Sequence, residues 1–187
     1  MRSLTSLPLS QPVFSLASAL LPALLSMLLL ASVAPLSLMA AESGEAPILY
    51  ALERYEVVRL ALLHDTTEGV AEAAADLESA LRELTASDLS VAVAGVSRDE
   101  LESARELAPL LYEAAGGLAT AEGLAATRDA FYELTKPLVR YRALMVVDVP
   151  SVAYCPMAKR SWLQPAGEIG NPYHGQSMAR CGELIED

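Results

Sequence analysis

Between Ile48 and Met145 the apolar residues return every three or four positions, which restricts this part of the chain to helices with one buried face. Ile48, Leu52, Tyr55, Val58 and Leu62 form the first such face, on a helix predicted from Pro47 to His64, with His64 as a cation at its C-terminal end. Val70, Ala74, Leu77, Leu81 and Leu84 form the second, ending near Thr85, with the alternating spacing of a bundle seam. Leu101, Ala104, Leu107, Leu111 and Ala114 form a third face, and Leu124, Phe131, Leu134, Leu138, Tyr141 and Met145 a fourth. Asp65 with Glu68, and Ser97 with Glu100, read as capping boxes ahead of the second and third helices. Gly116-Gly117 reads as the end of the third and Thr120 as the cap of the fourth, while Pro109 and Pro137 predict a kink in each. Residues 86–96 fit either a packed loop or a last helical turn. Short connections favour antiparallel neighbours. The expected fold class is therefore all-α: an antiparallel up-and-down four-helix bundle over residues 41–150, with an irregular segment, 151–187, packed on it as part of the same domain.

Residues 1–40 contain a single charge, Arg2, followed by an apolar run from Val13 to Val33 and by Ala40 and Ala41 just before the first acid, Glu42. This is the layout of a secretory signal cleaved near Ala40 or Ala41. The run is also long enough to stay uncleaved as an N-terminal anchor, which would be the chain's membrane attachment. Either way the remainder is expected in the periplasm or secreted, where two cysteines can remain oxidised. All 24 acidic residues lie beyond this leader, against 13 basic residues in the whole chain. An acidic surface of that kind disfavours nucleic acid and anionic lipid as partners.

The chemistry gathers in residues 151–183. This stretch holds both cysteines (Cys155, Cys181), the only tryptophan (Trp162), His174, and two methionines (Met157, Met178). Pro and Gly interrupt it too often for a helix. In an extended chain Cys155 and Met157 point the same way. Met178 and Cys181 share a face if they lie on one helical turn, and His174 joins them if that turn reaches back four residues. Thiolate, thioether and imidazole together suit Cu(I) or Ag(I). The competing reading is a disulfide between Cys155 and Cys181, closing a loop of 25 residues at a gain of about 3 kcal/mol. Trp162 is expected to anchor the segment on the bundle.

Enzymatic signatures are missing: there is no phosphate-binding Gly-rich loop, no His-Glu-x-x-His and no Gly-x-Ser-x-Gly. Cys-x-x-Cys-His is also absent, which excludes covalent haem. A binding protein is expected, with no catalytic residues.

The run Tyr154-Cys-Pro-Met-Ala158, then Trp162-Leu163, Glu168-Ile169, Asn171-Pro-Tyr173, Gly175, Met178 and Cys181-Gly-Glu183, resembles a family of small extracytoplasmic bacterial domains. These are often attached to periplasmic adaptor subunits of copper and silver efflux pumps of the resistance-nodulation-division type. Arg128, Phe131 and Leu134 match an Arg-x-x-Phe-x-x-Leu segment in the family's helical part. The resemblance implies an association with copper or silver, with Cys155, Met157, Met178 and Cys181 on the family's pattern. It lends no role to His174, whose position there is often aromatic. It also implies a partner: a metal efflux adaptor or another periplasmic metal protein. No lipoyl-like or barrel segment precedes the bundle here, so the expectation is a free domain that sequesters or hands over metal, or else a disulfide-stapled structural or interaction module.

Overall fold

The computed structural model describes residues 46–185, so the predicted leader over 1–40 lies outside the described residues. Four long helices follow the apolar spacing: α1 (Pro47–Leu63), α2 (Val70–Glu83), α4 (Leu101–Ala119) and α5 (Leu124–Arg142). A single turn, α3 (Val91–Ala94), interrupts the connection between α2 and α4. Ser90 caps it by accepting from the Val93 N–H, and the Tyr141 hydroxyl donates to the Ala94 carbonyl at 2.8 Å.

α1 packs on α2, α2 on α4 and α4 on α5. Arg82 of α2 stacks over Tyr112 of α4, while the earlier Glu78 lies beside the later Gly116, so these two helices run in opposite directions. The same holds for α1 and α5, where Tyr55 meets Thr135 and Leu62 meets Arg128. The core is formed by the predicted faces, with Ile48, Val58, Leu62, Leu77, Leu81, Leu111, Phe131, Leu134 and Tyr141 all buried.

The all-α expectation is corrected by the C-terminal segment, which is a three-stranded antiparallel sheet in the order β2-β1-β3. β1 (Ser151–Cys155) and β2 (Arg160–Gln164) form a hairpin in which Ala153 faces Trp162 and Cys155 faces Arg160. β3 (Glu183–Ile185) pairs with the other edge of β1, Tyr154 facing Glu183. Val152, Tyr154 and Trp162 suit strands, but the turn between them hides the signal. Its left-handed position is filled by Lys159 (φ 55°), where Gly or Asn would announce a hairpin.

Helix ends also differ from expectation. α4 continues through Gly116-Gly117 because Ala115 and Leu118 are buried on either side, and that burial outweighs the roughly 1 kcal/mol per glycine lost in a helix. Thr120 closes α4 by donating to the Gly116 and Gly117 carbonyls and does not open α5. Neither expected capping box forms: α2 and α4 begin without a side-chain cap. Asp65 is drawn elsewhere, as described below. No helix among the described residues is long and apolar enough to cross a membrane.

Sheet and bundle are joined by a buried relay. The Leu163 N–H donates to the Tyr55 hydroxyl at 3.2 Å, and Thr135 donates to the Phe131 carbonyl at 2.8 Å. Thr135 having spent its proton there, Tyr55 donates to Thr135 across their 2.8 Å contact. Tyr55→Phe removes the middle of the relay and leaves a buried N–H unpaired. A loss of about 1–3 kcal/mol is expected in urea denaturation, and an unchanged midpoint would refute the relay's contribution.

Candidate functional site

The sulfur residues sit where the hairpin meets the chain returning from the bundle. Cys155 closes β1 and is completely buried. Cys181 lies just before β3 and is half-buried. Their sulfurs are 3.1 Å apart and unbonded. The distance falls between two end states. A disulfide needs about 2.05 Å. Two thiolates sharing one ion at about 2.3 Å each would stand about 3.8 Å apart at a tetrahedral angle and about 4.6 Å apart in line. Either state is reached by moving Cys181, the more exposed member, by about 1 Å or a little more.

The turn after β1 is built around the Cys155 sulfur. The Lys159 N–H donates to the Cys155 carbonyl at 2.8 Å, which folds the chain back, and the Ala158 N–H then points at the Cys155 sulfur from 3.4 Å. Burial alone would raise the Cys155 thiol. The Ala158 N–H, the Cys181 thiol, the Met157 N–H and the Asn171 amide outweigh it and hold the thiol below its ordinary range. Cys181 is pushed up, first by its contact with Cys155 and then by burial.

The methionines are placed differently from the cysteines. Met157 falls in the turn and not on an extended strand, and it is 68% exposed. Met178 ends a single 3-10 turn, Gly175–Met178, and is half-buried. The Cys181 N–H donates to the Met178 carbonyl at 2.9 Å, which ties these two residues into one tight turn. His174 precedes the 3-10 turn, and its Nε2 is buried without a hydrogen-bond partner among the described residues. Among the described residues no group of three or more His, Cys, Asp or Glu side chains is disposed to hold an ion. The donor set brought together is thus the two thiols, with thioethers on the segments that carry them. A cleft of about 550 Å³ between α1 and the sheet is lined by Leu52, Arg54, Pro150 and Leu163 and by none of the sulfur residues.

The chain from Gly170 to Cys181 reaches the thiols as a strap tied across the ends of α1 and α5. Arg59 donates to the Gly170 carbonyl and Arg128 to the Pro172 carbonyl, each at 2.7 Å. Arg128 also donates to the Leu62 carbonyl at 2.9 Å and to Asp65 at 2.6 Å. The other oxygen of Asp65 accepts from the Gln176 N–H at 3.0 Å. This arrangement explains why Asp65 caps no helix, and it requires glycine at 175, where φ is +49° and a Cβ would lie 1.9 Å from the Asp65 carboxylate. Gly182 is equally constrained: a Cβ there would sit 2.6 Å from the Trp162 ring. Trp162 is fully buried, donates to Gln164 at 2.9 Å and stacks edge-on against Tyr173, as expected of an anchor.

No protein-family model matches this chain, and neither a curated protein nor a solved structure matches it. What the site can do follows from its donors: two sulfurs in contact, one of them approached by the Ala158 N–H, in a protein with a formal charge of −11.

Asn171, Asp65 and Arg128 are the supporting residues that spacing alone does not single out. Asn171 stood in the sequence only within the Asn171-Pro-Tyr173 segment of the resemblance, which gave it no role. Asp65 and Arg128 lie 63 residues apart, and nothing local connects them.

Proposed function

We propose that this chain is an extracytoplasmic binding protein for a soft monovalent cation, Cu(I) or Ag(I), which it sequesters or hands over without bond chemistry. The observation that carries this reading is the unbonded contact of Cys155 and Cys181 at 3.1 Å, with the Ala158 N–H directed at the Cys155 sulfur. Hydrogen bonds from outer groups to a thiolate orient and tune it as a ligand. Two thiolates suit a soft, low-coordinate ion. Met157 and Met178 are the thioethers available on the same two segments. The resemblance described above supports the same metals and suggests an efflux adaptor or another periplasmic metal protein as the exchange partner. The leader over 1–40 supports a periplasmic or secreted location.

Titration of the reduced chain with Ag(I) tests it. One ion per chain is expected, with binding lost in Cys155→Ser/Cys181→Ser while far-ultraviolet circular dichroism is unchanged. Equal binding by both proteins, or by neither, would overturn it.

The 3.1 Å contact also favours a second reading, in which the pair closes as a disulfide staple of a structural or interaction module. Closure of that loop is worth about 3 kcal/mol. Chain recovered from an oxidising compartment would then show no free thiol, and reduction would lower its thermal stability without creating an Ag(I) site.

A further inference from the structure

The two thiols differ in what can reach them and in what holds them. Cys155 is completely buried, and its strand position is paired with Arg160. The Lys159 N–H fixes its carbonyl at 2.8 Å, and the Ala158 N–H faces its sulfur at 3.4 Å. Cys181 is half-buried and lies between the 3-10 turn and β3, outside any helix or strand. Its backbone is tied on both sides. Its N–H donates to the Met178 carbonyl at 2.9 Å, and its carbonyl accepts from Nδ2 of the buried Asn171 at 2.9 Å. Its side chain is the reachable member of the pair, with its sulfur 3.1 Å from one that is closed to solvent. A bond needs the sulfurs to approach by about 1 Å, which a small rotation of the Cys181 side chain supplies without unfolding either segment.

We propose that the pair is a thiol–disulfide exchange centre entered through Cys181, with Cys155 as the resolving thiol, and that its closure empties the soft-metal site. The co-reactant is an outside disulfide in the closing direction and an outside thiol in the opening one. In closing, the Cys181 sulfur attacks one sulfur of the outside disulfide. A mixed disulfide forms on Cys181, and the outside S–S bond breaks to release one thiol. The Cys155 sulfur then attacks the Cys181 sulfur, the bond to the outside group breaks, and a second outside thiol leaves. Both cysteine protons end on the two released thiols, and two electrons pass from the pair to the outside disulfide. Opening retraces the path. An outside thiol attacks the Cys181 sulfur, and the bonding electrons go to the Cys155 sulfur, which the Ala158 N–H faces. Access sets this order, because exchange depends on which sulfur an attacker can reach. The order of exchange stands apart from the soft-metal reading; only the emptying of the site rests on it.

The reduced chain is mixed with oxidised glutathione under native conditions and quenched with acid, and its intact mass is measured. Wild type should become an internal disulfide, lighter by its two thiol hydrogens, with no lasting adduct. Cys155→Ser should accumulate one glutathione per chain, because its mixed disulfide has no resolving thiol. Cys181→Ser should react at least about 10-fold more slowly, since its remaining thiol is reached only through local opening. Equal rates for the two variants, or a faster Cys181→Ser, would overturn the order. If either variant fails to fold, wild type carries the test. Limited alkylation of the native reduced chain, followed by peptide mapping, should label Cys181 first, and equal labelling of both cysteines overturns the order. Dithiothreitol should reopen oxidised wild type without denaturant; a bond that opens only in urea is an inert staple and defeats exchange. After the small thiols are removed, the reduced chain should bind one Ag(I) and the oxidised chain should have lost that site. Equal Ag(I) binding by the two forms overturns the emptying of the site. Binding by neither sinks the soft-metal reading and the emptying with it, while the mass measurements still decide the order of exchange.

Discussion

Trp162→Ala is expected to destabilise the protein by about 3–5 kcal/mol, the range for deleting a buried aromatic from a packed core. Trp162 is fully buried, and three separate attachments converge on its ring. Its indole N–H is fixed by Gln164, whose side-chain oxygen also accepts from the Gly170 N–H at 3.1 Å. Its edge meets Tyr173, which continues the aromatic stack through Phe131 to Tyr55 of α1. Its far end is the surface on which Gly182 lies, one residue beyond Cys181. Removing the ring therefore opens a cavity between sheet and bundle and takes away the floor under the Cys181 loop. Urea denaturation followed by far-ultraviolet circular dichroism reads the first effect, since the chain's only tryptophan is lost as a fluorophore. Faster alkylation of the thiols reads the second. Trp162→Phe, which keeps an aromatic plate, should recover most of both. A midpoint within about 1 kcal/mol of wild type would show that the ring is not a principal tie between sheet and bundle.

The helical half of this fold was legible because its signal is local and repeated. Ile48, Val58, Leu77, Leu111 and Leu134 were assigned to the core by spacing alone, and all are buried. The sheet was not legible, because each strand has five residues or fewer and the hairpin turn lacks the expected Gly or Asn. Its Pro and Gly residues read as irregularity, whereas Gly175 and Gly182 mark close approaches to Asp65 and Trp162, 110 and 20 positions away. The candidate site divides along the same line. Cys155 and Cys181 were recognisable by residue type and are in contact. Met157 was assigned a strand geometry that the turn does not provide. Asp65 was read as a helix cap because Asp-x-x-Glu is a local pattern, while its actual partner, Arg128, is supplied by α5. Contacts made across the fold leave no periodic trace, and the supporting shell of this site consists almost entirely of such contacts.

Arg128→Ala is the second change expected to have a large effect, because this one side chain serves three acceptors from two elements. It donates to the carbonyls of Leu62 in α1 and Pro172 in the strap, and to the carboxylate of Asp65. Truncation takes the Pro172 carbonyl's donor away, at about 1–3 kcal/mol when buried, while the Leu62 carbonyl loses one of two donors and keeps the Asp65 N–H at 3.2 Å. The ionic component adds less, because the Asp65 side chain is 40% exposed and solvent screens it. A total loss of about 3 kcal/mol is expected in urea denaturation. The acid limb of the stability curve gives an independent check. Arg128 first, and the Gln176 N–H second, hold the Asp65 carboxyl below its ordinary value of 3.8. A carboxyl depressed in the folded state stabilises fully above its unfolded value, and that contribution disappears as pH falls through the lower folded value. Wild type should therefore lose stability on acidification across that interval, and Arg128→Ala should lose less of it. Asp65→Asn should flatten the same limb while keeping an acceptor for Gln176 and a residue at ease with a left-handed φ. The consequence for the site follows from chain connectivity. Pro172 is the neighbour of Asn171, so releasing it frees the amide that holds Cys181, and the strap carries Met178 and Cys181 away from Cys155. Thiol alkylation should then accelerate under native conditions, by a larger factor than the loss of global stability accounts for. An Arg128→Ala protein with wild-type thiol reactivity and an unchanged acid limb would show that Arg128 is not a principal anchor of the strap.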